Sequence, residues 1–179
     1  YAQRYNSNAA GCVSIGLESL RGASDANPLT GNYNTAVGSG TMEDMQGGAN
    51  NTAVGYHAIR DCSTGNANTA LGYEAGHAIT TGSNNVCVGQ GAGEAITTAN
   101  ANTCIGRIAG NAITTGEQNV CIGNNSAEYV VDLTTGTYNV IIGAYSRAAA
   151  SDVTKEVKIG YNHAGQGSNT AFIRADSGA

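Results

Sequence analysis

Large side chains are scarce in this sequence. It contains no tryptophan, one phenylalanine, one proline and two methionines among its 179 residues, but 26 glycines. An ordinary globular core is filled mainly by bulky aliphatic and aromatic side chains, and this chain has few of them. The composition instead favours a thin core that is repeated along one axis, in which each unit buries a few aliphatic side chains against its neighbours.

Clusters of basic residues and long apolar segments are also missing. The net charge is −5 and the basic residues are scattered, so neither nucleic acid nor an anionic membrane is an expected partner. No apolar run approaches the ~20 residues of a spanning helix, so membrane insertion is not expected. The chain begins with Tyr1 rather than methionine and shows no secretory signal, and we interpret it as part of a longer protein.

A five-residue word organises the chain. The copy at 85–89 reads NVCVG, and the closing glycine recurs every 17 residues from Gly38 to Gly123. A constant period indicates a stack of similar structural units. Nine words are present between residues 12 and 160, and longer steps of 22 and 20 residues predict insertions around 23–28 and 126–131. We expect residues 1–11 to form a lead-in or cap, 12–160 the repeat domain, and 161–179 a C-terminal cap or linker.

Each word has the composition of a short strand. Alternate residues of a strand share a face, and the positions of Val86 and Val88 hold Val, Thr, Ile or Leu in every word. We expect these two columns to line the interior. A weaker aliphatic column that includes Ile79 predicts a second strand in each coil. The predicted fold is therefore all-β, a parallel β-roll or solenoid of about nine 17-residue coils.

The position between these two columns is expected to face outward. Small or apolar residues occupy it in seven successive words, and soluble monomers seldom expose such a stripe. We therefore predict that another chain packs against this column. The predicted oligomer interface consists of Ala36, Ala53, Ala70, Cys87, Cys104, Cys121 and Ile141.

The residues that could carry chemistry do not form a recognisable site. The five cysteines form no Cys-x-x-Cys motif, so no metal or other cofactor is expected, and buried thiols are favoured over disulfides between chains. The histidines are interpreted as solvent-facing loop residues. Glu43, Asp44 and Asp61 are the nearest approach to a carboxylate pair, but no cleft is indicated. No catalytic residue is assigned, and the chain is not expected to be an enzyme.

The turn after each closing glycine varies between repeats, whereas the word itself does not. Variable turns on a constant scaffold are typical of a recognition surface, and exposed tyrosines there can stack on sugars or anchor a protein contact. The candidate binding residues are Tyr56, His57, Tyr73, Glu74 and Arg107.

The words resemble those of a known group of repeats. The sequences at 12–16 and 51–55 resemble the S-V-A-I-G motif in the head of YadA-type trimeric adhesins. The phrases at 68–76 and 79–85 resemble repeats of phage and algal-virus tail fibres even more closely. The resemblance implies left-handed parallel β-rolls assembled as a homotrimer, with the valine and isoleucine inside each roll. The period of 17 is longer than that of the adhesin heads, and no coiled-coil stalk is present.

The resemblance implies an attachment role. We expect a structural or receptor-binding segment of a trimeric viral tail fibre or adhesin, located on a virion or a cell surface, that contacts a host-surface glycan or protein. Two alternatives stay open. The stacked threonines at 80, 97, 114 and 134 are compatible with an ice-binding solenoid, and tail spikes suggest a polysaccharide-degrading enzyme.

Overall fold

Ten short strands form the regular structure of the chain. The structure, a computed structural model, describes residues 9–22, 29–128 and 132–174. Within them no helix is present, and so no helix that could cross a membrane. The strands are β1 (Val13–Ile15), β2 (Thr35–Val37), β3 (Thr52–Val54), β4 (Thr69–Leu71), β5 (Val86–Val88), β6 (Thr103–Ile105), β7 (Val120–Ile122), β8 (Val140–Ile142), β9 (Val157–Ile159) and β10 (Ala171–Ile173).

The strands stack into one parallel sheet in chain order. Equivalent residues of successive words lie opposite each other. Ala70, for example, pairs with Cys87, and Cys87 pairs with Cys104. The chain makes about eight turns, so the prediction of an all-β parallel solenoid is confirmed. β10 pairs with β9 and extends the sheet beyond residue 160. The insertion expected at 23–28 lies outside the described residues. Of the insertion expected at 126–131, residues 129–131 also lie outside them.

Each coil contains one strand rather than two among the described residues. The side chain of Ile79 is buried in the core, as the aliphatic pattern suggests. Its neighbours do not form a second ladder, because the N–H groups of Thr80, Thr81 and Gly82 all lie 2.9–3.4 Å from one acceptor, the carbonyl oxygen of Thr97. Three successive donors directed at one acceptor require a turning backbone. The predicted second strand is therefore wrong.

The inside and the outside of the strands are the reverse of the prediction. Cys87 is fully buried in the interior of its own coil, whereas Val86 and Val88 are only half-buried. The physical reason is the narrow interior. A Cβ atom added at Gly93 would lie 2.7 Å from Cys87 Sγ and 2.8 Å from Cδ1 of Ile96. Such a gap accepts alanine or cysteine from the strand and leaves the two β-branched columns outside.

The interior is filled by pairing large residues with small ones. Gly93 and Gly110 follow the strands centred on Cys87 and Cys104, and an added Cβ at Gly110 would lie 2.7 Å from Cys104 Sγ. Gly76 follows the strand centred on Ala70, and an added Cβ there would lie 3.5 Å from Cys87 Sγ of the next coil. The same turn position holds Leu20, Met42 and Ile59 in the earlier coils. Those coils have Ser14, Ala36 and Ala53 at the centre of the strand. A large turn residue thus accompanies the small strand centres of the first three coils, and a glycine accompanies Cys87 and Cys104.

A buried ladder of asparagines fixes the register between coils. The side-chain oxygen of Asn85 accepts hydrogen bonds from the backbone N–H and the side-chain amide of Asn102, at 3.0 and 3.3 Å. The side-chain amide of Asn85 donates to Ala99 O at 2.9 Å and to Asn68 Oδ1 at 3.1 Å. All of these asparagines are fully buried, and they are Asn34, Asn51, Asn68, Asn85, Asn102, Asn119 and Asn139.

Other residues take over at the two ends of this ladder. At the first end, Cys12 Sγ accepts a hydrogen bond from the backbone N–H of Asn34 at 3.4 Å. In the following coils an asparagine side-chain oxygen accepts the equivalent bond. At the other end, the backbone N–H of Glu156 donates to Asn139 Oδ1 at 2.8 Å. The buried Glu156 carboxylate then accepts the N–H groups of Ala149, Gln166 and Gly167 and thereby anchors the last coil.

The burial of the thiols predicts their reactivity. Burial raises the pKa of Cys62 to about 11, and a hydrogen bond to Cys104 together with burial raises that of Cys87 well above its ordinary value. Because the thiolate is the reactive form, a thiol reagent should label the partly exposed Cys12 within minutes in the native protein. The other four cysteines should react only in denaturant. Rapid native labelling of Cys87 or Cys104 would contradict this arrangement.

The asparagine ladder predicts a large difference between adjacent substitutions. Asn85→Ala leaves the buried backbone N–H of Asn102 and the carbonyl of Ala99 without their hydrogen-bond partners, so we expect a loss of about 2–5 kcal/mol in the free energy of unfolding. Asn84→Ala is the matched control, because Asn84 is exposed and alanines occupy the equivalent positions 67 and 101 with similar positive φ. Denaturant titration of both variants measures the difference, and equal midpoints would refute the stabilising role of the ladder.

Candidate functional site

The outward residues of the ten strands form one continuous surface, which we call the outer face. It consists of the first and third residue of each strand, and all of these are Val, Ile, Leu, Thr or Ala. No charged residue occurs among them, although charged residues make up 12% of the chain. Strands spaced by ~4.8 Å give a face about 43 Å long. The most exposed of its large apolar residues are Val13 at 45%, Ile15 at 59%, Val54 at 39%, Leu71 at 40%, Ile105 at 37% and Ile173 at 73%.

The predicted interface column does not lie on this face. Its residues are fully buried in the interior of their own coils, so their side chains cannot contact another chain. The assignment is therefore wrong for Ala36, Ala53, Ala70, Cys87, Cys104, Cys121 and Ile141. The interpretation of the central cysteines as buried thiols is confirmed, because the structure describes them as free and buried.

Three of the predicted binding residues form an aromatic cluster at the turn that follows the strand. The rings of Tyr56 and Tyr73 stack with centroids 5.4 Å apart and planes 16° from parallel, because the two residues occupy the same position in successive coils. His57 stacks on Tyr56 at 3.7 Å. The tyrosines are 45% and 48% exposed. The cluster is therefore an ordered aromatic surface that solvent can reach.

The other two predicted residues differ in position. A hydrogen bond with Glu74, together with its charge, raises the pKa of Tyr73. Glu74 directly follows Tyr73 in the chain and therefore borders the aromatic cluster. Arg107 is exposed two coils further on, where Nη1 lies 3.4 Å from Asn125 Oδ1. The five residues thus form one group of four and one separate arginine.

His77 belongs to the aromatic cluster but is not apparent from the repeat pattern. Its ring centroid lies 6.1 Å from that of His57, although the two histidines occupy different positions in the turns that follow the closing glycines. The curled backbone of the turn brings these two positions together. His163 is half-buried in the last coil, and its Nε2 is buried without a hydrogen-bond partner in the described part of the chain.

The acidic residues considered for catalysis are held by arginines. The Glu43 carboxylate forms ion pairs with Arg21, at 2.8 Å, and with Arg60, at 3.3 Å. Asp44 and Asp61 lie 3.5 and 3.9 Å from the same two guanidinium groups. The structure therefore brings these carboxylates together in an ion-pair network. Among the described residues, no group of three or more His, Cys, Asp or Glu is arranged to hold a metal ion.

A buried lysine interrupts the interior at its C-terminal end. Lys158 occupies the central position of β9 and is fully buried. Its Nζ lies 3.4 Å from Ser146 Oγ and 5.9 Å from the centre of the Phe172 ring. Burial lowers the pKa of this amine. This amine lies at a position where every other strand except β1 has an apolar side chain.

Comparison with known proteins gives no family for this chain. No family model, no curated protein and no solved structure matches it. The resemblance to adhesin and tail-fibre repeats is therefore still a prediction, and the geometry carries the argument below.

Lys158 predicts a stabilising substitution. Replacing a buried charged group by an apolar side chain of similar length often increases stability, because the cost of removing the charge from water disappears. Lys158→Met should therefore raise the free energy of unfolding by about 1–3 kcal/mol. Lys155→Met, at an exposed position in the same turn, is the control and should have little effect. A destabilised Lys158→Met variant in denaturant titration would show that the amine has a structural role.

Proposed function

We propose that the chain is a rigid segment of a homotrimeric attachment fibre, in which the outer faces of three copies pack together. The observation that carries the proposal is the outer face, where none of the outward strand residues is charged. A solvated surface normally carries interspersed charges. A contiguous apolar face on a soluble protein is typical of a binding surface.

The outer face alone is smaller than a standard interface, so flanking residues must extend the contact in the proposed assembly. A face about 43 Å long and ~10 Å wide amounts to about 400 Å², which is within the range of functional patches on monomers. It is smaller than the ~800 Å² per partner of a standard interface. Around a three-fold axis, each chain meets two neighbours, and the flanking, exposed Leu17 can extend the contact. The resemblance to trimeric adhesin repeats supports the same number of copies.

Attachment would follow from the rigidity of the solenoid and from repetition. In a trimer, each turn cluster is present three times on one stiff rod. Weak identical sites then act together at high effective concentration. The receptor in this proposal is a glycan or protein on a host surface, and the fibre belongs to a virion or to a cell surface.

The outer face predicts the effect of two charged substitutions on assembly. The unmodified chain should have three times its 18.0 kDa mass in light scattering. Val54→Glu combined with Leu71→Glu places charges on the outer face and should give folded monomers. Thr64→Glu combined with Thr81→Glu alters exposed positions outside this face and should stay trimeric. A monomeric unmodified chain, or trimers in both variants, would contradict the proposal.

Ice binding on the outer face is the second candidate. The threonines considered from the sequence are unsuitable, because the hydroxyls of Thr80, Thr97 and Thr114 donate to carbonyls of the next coil at 3.1–3.3 Å. The outer face, however, presents Thr35, Thr52 and Thr69 in one column beside an aliphatic column. A monomer that shows thermal hysteresis would favour this function over the fibre.

A further inference from the structure

The two ends of the solenoid are open. The central residue of every strand from β2 to β9 is fully buried, whereas Ser14 of β1 and Phe172 of β10 are only half-buried. The outward aliphatic residues are also most exposed there, at 59% for Ile15 and 73% for Ile173. Among the described strands, β1 pairs only with β2 and β10 only with β9. Each end therefore leaves part of the core and one strand edge uncovered.

The hydrogen-bond pattern of the sheet shows which backbone groups are left over at each end. Thr35 N–H donates to Asn51 O of the next coil at 2.8 Å, and Val37 O accepts the N–H of Gly55 at 2.8 Å. The first and third residues of a strand therefore pair with the coil that follows. The second residue, the carbonyl before the strand and the N–H after it pair with the coil that precedes. At β10 the first set, and at β1 the second set, has no hydrogen-bond partner in the described structure.

The unpaired groups of the two ends are complementary. β10 offers the N–H and C=O groups of Ala171 and Ile173, and β1 offers Cys12 C=O, both backbone groups of Ser14, and Gly16 N–H. In a parallel pair, Ala171 N–H would donate to Cys12 O and Ile173 N–H to Ser14 O. The N–H groups of Ser14 and Gly16 would donate to Ala171 O and Ile173 O. One strand pair would thus satisfy all of these groups.

The side chains fit the same register. It is the register of all nine strand pairs of the sheet, in which residues at the same position in the strand face each other. Phe172 would then cover Ser14, a large side chain against a small one, and Ile173 would lie against Ile15. Neither end strand contains a charged residue or a proline, which natural edge strands use to prevent pairing.

The contact is short. Arg174 N–H donates to Ile159 O at 2.9 Å, as the closing glycine does in the other words, but Arg174 lacks the positive φ of those glycines. The chain therefore leaves the path of the coil after Ile173, and the pairing is limited to the length of the strand. A single strand pair is weak by itself, so the association should depend on concentration.

We propose that copies of this chain associate end to end, with β10 of one copy paired in parallel with β1 of the next. The two surfaces differ, so the contact does not close on itself and adds copies along the axis of the solenoid. A strand extends an exposed sheet edge in the same way in other protein complexes. The contact is separate from the lateral contact of the outer faces and is available to a single chain, although a trimer would form three such pairs at once.

Cross-linking tests the pairing and its register in the charged double variant of the outer face, which should not assemble laterally. Val13→Cys and Ala171→Cys chains, each with Cys12→Ser, are mixed and treated with a short thiol-to-thiol cross-linker. The mixture should give about tenfold more cross-linked dimer than either chain alone, because pairing raises the effective concentration of the two thiols. Thr81→Cys, at an exposed position in the middle of the solenoid, replaces Val13→Cys as the control. Equal yields in all of these samples would overturn the end contact.

A proline tests the backbone hydrogen bonds of the same contact. Ala171→Pro removes an N–H that points away from β9, whereas Ala171→Val keeps it and is the matched control. In sedimentation of chains with the native outer face, the mass of the unmodified chain and of Ala171→Val should rise with concentration. The mass of Ala171→Pro should stay constant, and an equal rise in Ala171→Pro would contradict the proposal.

The mass at the lowest concentration separates this contact from the proposed function, because it reports lateral assembly. A constant mass of three chains at all concentrations overturns the end contact and leaves the fibre. A monomer whose mass rises with concentration, and rises less in Ala171→Pro, supports the end contact and overturns the trimer.

Discussion

The narrow interior of each coil is the constraint on which the rest of the structure depends. At Gly93 the turn approaches both Cys87 of the strand and Ile96 of the opposite wall so closely that a single methyl group would not fit. From β1 to β7 the strand therefore directs only a small side chain inward. The larger β-branched residues on either side must face outward, and this produces the apolar outer face. A narrow core thus explains both the composition of the chain and its exposed surface.

The second constraint is the close stacking of successive coils. A Cβ atom at Gly55 would overlap the carbonyl oxygen of Gly72, and Gly55 also has a φ of +140°, a conformation that other residues rarely adopt. Glycine at this position meets both requirements. The buried asparagine four residues earlier satisfies polar groups of its own coil and its neighbour. Together the two residues define the word that recurs along the chain.

The sequence predicts the period, the strand in each of the nine words and the parallel register, because each depends on spacing alone. It did not predict which face of the strand is buried, because both faces of a strand such as Val86–Val88 are apolar or small. The small size of the central residue was the available signal, since it indicates a narrow core. The stacking of Tyr56 on Tyr73 follows from their equivalent positions. The proximity of His77 to His57 depends on the curl of the turn, which spacing does not encode.

The orientation of the strands is tested most directly by the solvent accessibility of methyl groups. In the chain with glutamates at positions 54 and 71, expected to be monomeric, a soluble paramagnetic agent should broaden the NMR signals of the Val37, Val88 and Ile105 methyl groups. The methyl groups of Ala36, Ala53 and Ala70 should be protected. Protected valines with broadened alanines would contradict the account, because the outer face would then be the interior of the solenoid.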